Sequence, residues 1–476
     1  MRRFIQIIFF VFIGLSADCQ EVLVSPDINV RNDLFYDILP NINDRTVLFR
    51  NKGDEYILET LDEAMSITLS AEIKFEAERI EIFSILPFDT CFQVIYGYAK
   101  KDSIHIMSRR LNESGTLVDS TNIFSIKKKN FKRFRYQNSE DKSKTLLFAR
   151  DRRDKMEFFL VDNHKIKSSS PTVLEIENLD IVQDFRKIIL SNDGFAYLYF
   201  DKNNSKFSRE KHKGHIFILP PFGDEIRSIE VEFNKKLIAD VDISIDNKNN
   251  RILLCGLYNN DGSSRIEGYF YLNKELQSLG SSVTPNFVEF DSNFSADVIG
   301  GKRKKGSQIT DFVIKDIVSR QDGGALLFFE SYKELSRRSS YRVSRLSHDP
   351  LSDGGFIDYY NEDIILVNLD PEGKEDWKRV LHKKQFSQDD GAVFSSFYIF
   401  KTPSKLRLIY NDEVSKSSTI SEYLINPLGD YERRAILNTE HEELKLRFTS
   451  ALQISSETLI VPSERSYTLN LVKISY

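Results

Sequence analysis

Short apolar runs rich in Phe, Tyr, Ile, Leu and Val recur along almost the whole chain, each leading through a polar turn into a second apolar run. Continuous apolar runs of this length, bounded by turn residues, are the pattern of buried strands. The clearest copies pair Phe92 to Tyr98 with Ile104 to Met107, Thr145 to Ala149 with Met156 to Val161, and Phe195 to Phe200 with His215 to Leu219. Three more pair Arg251 to Tyr258 with Gly268 to Leu272, Gly324 to Phe329 with Asp363 to Leu369, and Lys405 to Tyr410 with Ile420 to Ile425. Weaker copies flank them, Thr46 to Phe49 with Glu55 to Leu58, and Thr458 to Val461 with Leu469 to Ile474.

The second run of several copies ends in a turn such as Pro371, Glu372, Gly373 or Pro427, Leu428, Gly429, where Pro presets φ and Gly accepts a positive φ. A third, more polar strand follows. Apolar stretches before the hairpin, Ile188 to Leu190 and Ile238 to Ile245, supply a further strand, giving four per unit. The units start at 46, 92, 145, 195, 251, 324, 405 and 458, with spacings of 46, 53, 50, 56, 73, 81 and 53 residues. The base period is close to the ~50 residues of a kelch-type blade.

This predicts an all-β β-propeller spanning residues 20–476 as a single domain, with eight blades preferred over seven. The last copy stops after its third strand, so Glu21 to Val24 is expected to close the last blade. Tandem β-sandwiches are the alternative, disfavoured because no Pro/Gly/Ser linker divides the chain. Long loop insertions are expected near 291–307 and 331–362.

Composition agrees with strands: 36 Phe and 20 Tyr stand against 4 Met and 1 Trp. The formal net charge is -5, with basic and acidic residues well mixed, which gives no electrostatic case for nucleic acid. The N-terminus has Arg2 and Arg3 ahead of an apolar stretch from Phe4 to Leu15, then small residues at Ser16 and Ala17. That is the layout of a signal peptide, here residues 1–19, and it places the mature chain in the periplasm, at the cell surface or outside the cell. Lipid attachment at Cys19 is disfavoured because Asp18 precedes it. No later segment is long and apolar enough to cross a membrane as a helix. Cys91 and Cys255 both lie in apolar runs and are expected to be free thiols rather than a bridge.

Part of the C-terminal third carries a resemblance. The run Glu362 to Trp377, then Lys383, Lys384 and Gln385, Phe394 to Tyr398, and Tyr410 to Asp412 are similar to a group of uncharacterised exported proteins of Bacteroidetes-type bacteria with a propeller-like β-repeat. The resemblance covers roughly residues 320 to 476. It implies export and a β-rich repeat, and it carries no catalytic residues.

Candidate chemistry is sparse. His212 and His215 have no acidic or Cys partner near in sequence and read as a solvated turn rather than metal ligands. Asn259 to Gly262 and Asp389 to Gly391 lack the ligand spacing of a calcium loop and read as tight turns. No nucleophile elbow, zinc-protease helix or phosphate loop is present, so no catalytic residue, metal or cofactor is assigned. The basic stretch Lys302, Arg303, Lys304 and Lys305, flanked by glycines, and the long insertion with Arg337, Arg338, Arg342, Arg345, Tyr359 and Tyr360 are the expected binding region. Long insertions in compact folds tend to be functional, and Arg and Tyr are favoured at binding surfaces.

Three function classes follow. The preferred one is a monomeric, non-enzymatic module that binds a protein or glycan at the envelope. The second is a glycan-acting hydrolase with carboxylates in the propeller channel. The third is a structural part of an envelope assembly.

Overall fold

The computed structural model describes residues 21–77, 79–127, 133–151, 154–222, 225–260, 262–300, 308–337, 356–412, 414, 419–438 and 444–476. Eight sheets, antiparallel except where Ser282–Val283 adds in parallel to Arg227–Glu232, follow one another around a ring, so the protein is an eight-bladed β-propeller. Within each blade the strands are named A to D from the channel outward. The A strands are Phe35–Ile42, Glu81–Pro87, Arg135–Asn138, Phe185–Leu190, Leu237–Asp246, Phe312–Ser319, Tyr398–Lys401 and Leu452–Gln453. Neighbouring A strands from blade 1 through blade 6 contact one another, which places them around the central channel.

Every expected first hairpin strand is strand B of a blade. The eight are Arg45–Asn51, Phe92–Lys100, Lys144–Arg150, Ala196–Lys202, Arg251–Asn259, Ala325–Arg337, Leu406–Asn411 and Thr458–Arg465. Their near-continuous apolar character has a physical cause. A middle strand is packed against a neighbouring blade on both faces, so both alternate positions are buried. In blade 5, Arg251–Asn259 is buried at every position after Arg251, whereas the outermost strand of blade 2, Leu117–Lys127, alternates between exposed and half-buried positions.

The core is divided in the same way. Eight apolar clusters lie between successive blades, from Phe49 and Tyr96 between blades 1 and 2 to Phe400 and Val472 between blades 7 and 8. The eighth joins Leu48 of blade 1 to Leu469 and Leu471 of blade 8 and so closes the ring. Closure is made by the strand expected from sequence: Glu21–Val24 pairs antiparallel with Thr468–Ser475, Glu21 opposite Ser475 and Val24 opposite Val472. The first copy is a complete blade of its own, which settles eight blades over seven.

Two expected loops hold regular structure. Within 291–307 lies a short helix, α1 (Ser292–Val298), capped by the Asp291 side chain. Within 331–362, strands B and C of blade 6 run on as a hairpin, with Tyr332 opposite Asn361 and Arg337 opposite Phe356. Polar and charged residues fill much of this extension, so it lacks the apolar run that marks the other strands. Its second strand is further paired by Gln385–Gln388.

Candidate binding face

The up-and-down order of strands sorts the connections to two ends. A–B and C–D turns lie at one end, here the turn face; B–C and D–A connections lie at the other, the loop face. Most turns on the turn face are tight, such as 43–44, 88–91, 247–250 and 426–430, and they bond to their neighbours. The Asn43 amide donates to the Asp89 carbonyl (2.7 Å), and the Asn192 amide to Asn247 Oδ1 (2.9 Å). The loop face carries longer connections, including 203–212, 290–311 and 389–397.

The loops are held by buried polar groups at the upper ends of the B strands. In blade 1, Arg50 makes a forked contact with Asp33, Nε to Oδ2 at 2.7 Å and Nη2 to Oδ1 at 3.1 Å, and reaches Glu59 Oε1 at 2.9 Å. Asp33 lies on the connection from blade 8, so this planar two-point contact ties the closing segment to the ring. In blade 4, Asp201 accepts from Asn204 Nδ2 (3.0 Å) and pairs with His212 Nε2 (2.5 Å). The other ring nitrogen of His212, Nδ1, lies 2.9 Å from the Lys236 carbonyl, and the ring stacks on Phe233.

The largest network lies between blades 6 and 7. Glu330 is fully buried, with Lys383 Nζ 2.7 Å from Oε1 and Lys315 Nζ 2.8 Å from Oε2. Ser396 Oγ (2.7 Å) and Asn361 Nδ2 (3.1 Å) also donate to Oε2. Burial alone would push this carboxyl up, but the Lys383 and Lys315 ammoniums beside it hold it below the usual range. Lys383 donates onward to Gln385 Oε1 (2.8 Å), Gln385 to the Asn411 carbonyl (2.7 Å), and Asn411 Nδ2 to the Phe394 and Leu446 carbonyls. Lys315 reaches Glu330 from a β-bulge in strand A, between Ile314 and Asp316, and strand A of blades 2, 4 and 5 bulges near its own upper end. In the sequence Glu330 showed only as a lone carboxylate capping the apolar run Ala325 to Phe329, and Lys383 and Gln385 only among the residues that carry the resemblance, with no role assigned.

The channel walls are polar. Lys187 pairs with Asp242 across blades 4 and 5, and Asp240 Oδ2 accepts from the Ile314 amide of the next A strand (2.8 Å). Asp37 lies on strand A of blade 1 with a solvent-accessible side chain, within electrostatic range of Tyr136 and Lys142 of blade 3. Partial desolvation by the surrounding protein pushes its carboxyl up to about 6, with the Ile38 amide and Lys142 opposing.

Of the residues expected to bind, Lys302, Arg303, Lys304, Lys305, Arg338, Arg342 and Arg345 lie outside the described residues. The strands and segments that they join end on the loop face. Arg337 closes the described part of strand B in the blade 6 hairpin. Tyr360 is half-buried, its ring 5.2 Å from that of Phe386, and lines a groove of about 390 Å³. The groove runs between the blade 6 hairpin and the segment that follows α1, with Ile299, Ile309, Phe312, Lys333 and Leu335 on its walls. It thus brings together the two insertions that the sequence singled out. Tyr359 is a correction: at 9% exposure it belongs to the packed side of the hairpin and has little surface to offer a partner.

The histidines do not converge. Both nitrogens of His212 are engaged, and His215 lies in a separate cleft with Phe217 and Glu230. Among the described residues no three His, Cys, Asp or Glu side chains gather in a way that could hold a metal ion. Cys91 and Cys255 are unbridged; Cys255 is buried and Cys91 half-buried.

No family model and no curated protein matches the chain. Several solved structures are similar at low identity. They include a polysaccharide lyase, Uly1 (8% identity, TM-score 0.40, 83% of this chain and 90% of that one). The β-propeller domain of the Trilobed protease from Pyrococcus furiosus is another (11%, TM-score 0.38, 85% and 99%). Prolyl oligopeptidase B from Galerina marginata is similar over 91% of this chain (11%, TM-score 0.39), and the chain spans 55% of that enzyme's length.

Proposed function

We propose that this protein is an exported, non-enzymatic binding module that uses the loop face of its propeller to hold a protein or a glycan at the cell envelope. The observation that carries this reading is the contrast between the two ends. The turn face is tied turn to turn, while the loop face presents longer connections on a rigid, buried polar frame and has a groove at the blade 6 hairpin. Export is supported by the basic head and apolar run of residues 1–15.

The test compares the ends directly. Retention of the mature protein on envelope fractions is measured for a loop-face variant, Leu34→Arg with Tyr467→Arg, and a turn-face variant, Phe222→Arg with Leu428→Arg. All four side chains are exposed. About a tenfold loss confined to the loop-face variant is expected, as for removal of an interface anchor. Loss confined to the turn-face variant sinks the reading.

One observation favours a second reading, a glycan-acting hydrolase. A channel carboxyl raised to about 6, as at Asp37, suits a general acid near neutrality. Release of reducing ends from envelope polysaccharide by the native chain, abolished by Asp37→Asn, would establish it. No turnover by the native chain removes it.

A further inference from the structure

Strand A of blade 6 leaves its ladder early. Phe312 pairs with Ser331, and the next amide of strand B, Tyr332, donates to the Asp311 carbonyl at 2.7 Å. At Asp311 the backbone is left-handed (φ 62), a conformation that non-glycine residues seldom adopt. Upstream of it the chain crosses to blade 5, where the Ile309 carbonyl accepts from the Ile266 amide (2.8 Å). Strand B does not follow. It continues to Arg337 paired with strand C, and among the described residues no strand pairs with its other edge from Lys333 onward.

The groove lies beside this edge, over the face of the hairpin that carries Lys333, Leu335 and Tyr360, and is closed on the other side by residues 308–312. In an antiparallel pair, alternate residues direct their N–H and C=O groups outward, so this edge offers main-chain donors and acceptors beside an apolar wall formed by Ile309, Phe312 and Leu335. An open edge next to side-chain pockets is the geometry of strand addition. The rim is acidic, with Asp311, Glu362 and Asp363 against Lys333. Charged Lys333 and Glu334 on the edge itself oppose indiscriminate pairing, so a strand that docks must be matched in charge.

We infer that the edge Lys333–Arg337 accepts an extended segment of a partner protein, with apolar side chains at alternate positions and a Lys or Arg facing Glu362 and Asp363. This rests on the loop face being the binding face. The probe is a blocked peptide of about ten residues alternating Val and Lys, with two references: its Val/Glu counterpart, and the same Val/Lys peptide N-methylated at alternate residues. Binding to the full chain is followed by calorimetry and by amide hydrogen exchange.

The Val/Lys peptide is expected to protect amides within 333–337. It should bind about tenfold more tightly than either reference, since strand addition depends on main-chain hydrogen bonds and charge match. Leu335→Arg should weaken it by a similar factor. Should that variant unfold, Glu362→Lys provides the second test, shifting preference toward the Val/Glu peptide. Protection elsewhere on the loop face, or none at 333–337, overturns the inference. The loop-face reading is then judged separately by the envelope-retention comparison, which uses neither peptide nor hairpin.

Discussion

The two ends of this propeller solve the same problem in opposite ways. On the turn face, tight turns dock on the preceding blade: Gly373 against Tyr271 and Gly429 against Trp377, each glycine at a positive φ. Backbone amides and Asn side chains then link one turn to the next. On the loop face, longer connections cannot satisfy themselves locally. The ends of the B strands therefore carry buried ionic or amide groups, Arg50, Asp201, Glu330 and Asn411, that hold them. Local turn chemistry makes a closed surface, whereas long-range polar anchoring leaves room for grooves. The contrast explains why a groove lined by both long insertions opens at the end with the weaker local constraints.

The sharpest way to break this comparison is to remove an anchor. Glu330→Gln leaves Lys383 buried without its counter-charge, and stability should fall by about 3–5 kcal/mol, read from denaturant midpoints. If the network is instead dispensable, the change will be below about 1 kcal/mol and the loop-face frame loses its basis.

The turn face is tested at Gly429. A Cβ there would lie 2.6 Å from the Trp377 ring, at φ 80, so Gly429→Ala should cost about 1–3 kcal/mol. The indole fluorescence of the single Trp should report the displacement.

The channel between the two ends gives a pH signature. Asp37 titrates near 6 in the folded chain against an ordinary value of 3.8, so the folded state holds a proton that the unfolded state releases between about pH 4 and 6. Its contribution is therefore most favourable below that window and declines as pH rises through it. Asp37→Asn should flatten the profile and raise the melting temperature at pH 7.5 more than at pH 4. An unchanged difference between the two pH values would place Asp37 in bulk-like solvent.

The smallest effects belong to the exposed apolar residues. Leu34→Arg on the loop face and Leu428→Arg on the turn face should each change stability by less than about 0.5 kcal/mol. Only the first should alter envelope retention.

Much of the architecture was legible because middle strands of a blade are buried on both faces and so write continuous apolar runs into the chain. All eight B strands, the C strands that follow them, the Pro and Gly turns and the closing role of Glu21–Val24 could be read in this way. The blade 6 hairpin beyond Glu330 was not legible as strand. Its first strand is largely exposed, its buried positions Asp358 and Asn361 are polar, and it carries no periodic apolar signal, so only pairing with Phe356–Glu362 and Gln385–Gln388 defines it. Tyr359 shows the reverse case: an aromatic residue in a polar stretch is expected at the binding surface, but the hairpin leaves it 9% exposed.

By itself, then, the amino-acid order determined the repeat, the all-β class and the ring, because these depend on hydrophobic pattern and turn chemistry that act over a few residues. Tertiary structure alone decided which charges meet. Glu330, Lys383 and Lys315 are brought together from three strands, Arg50 and Asp33 from a blade and the segment that closes the ring. Such pairings depend on blade packing across long stretches of chain, and a lone Glu or Lys at the end of an apolar run does not reveal its partner.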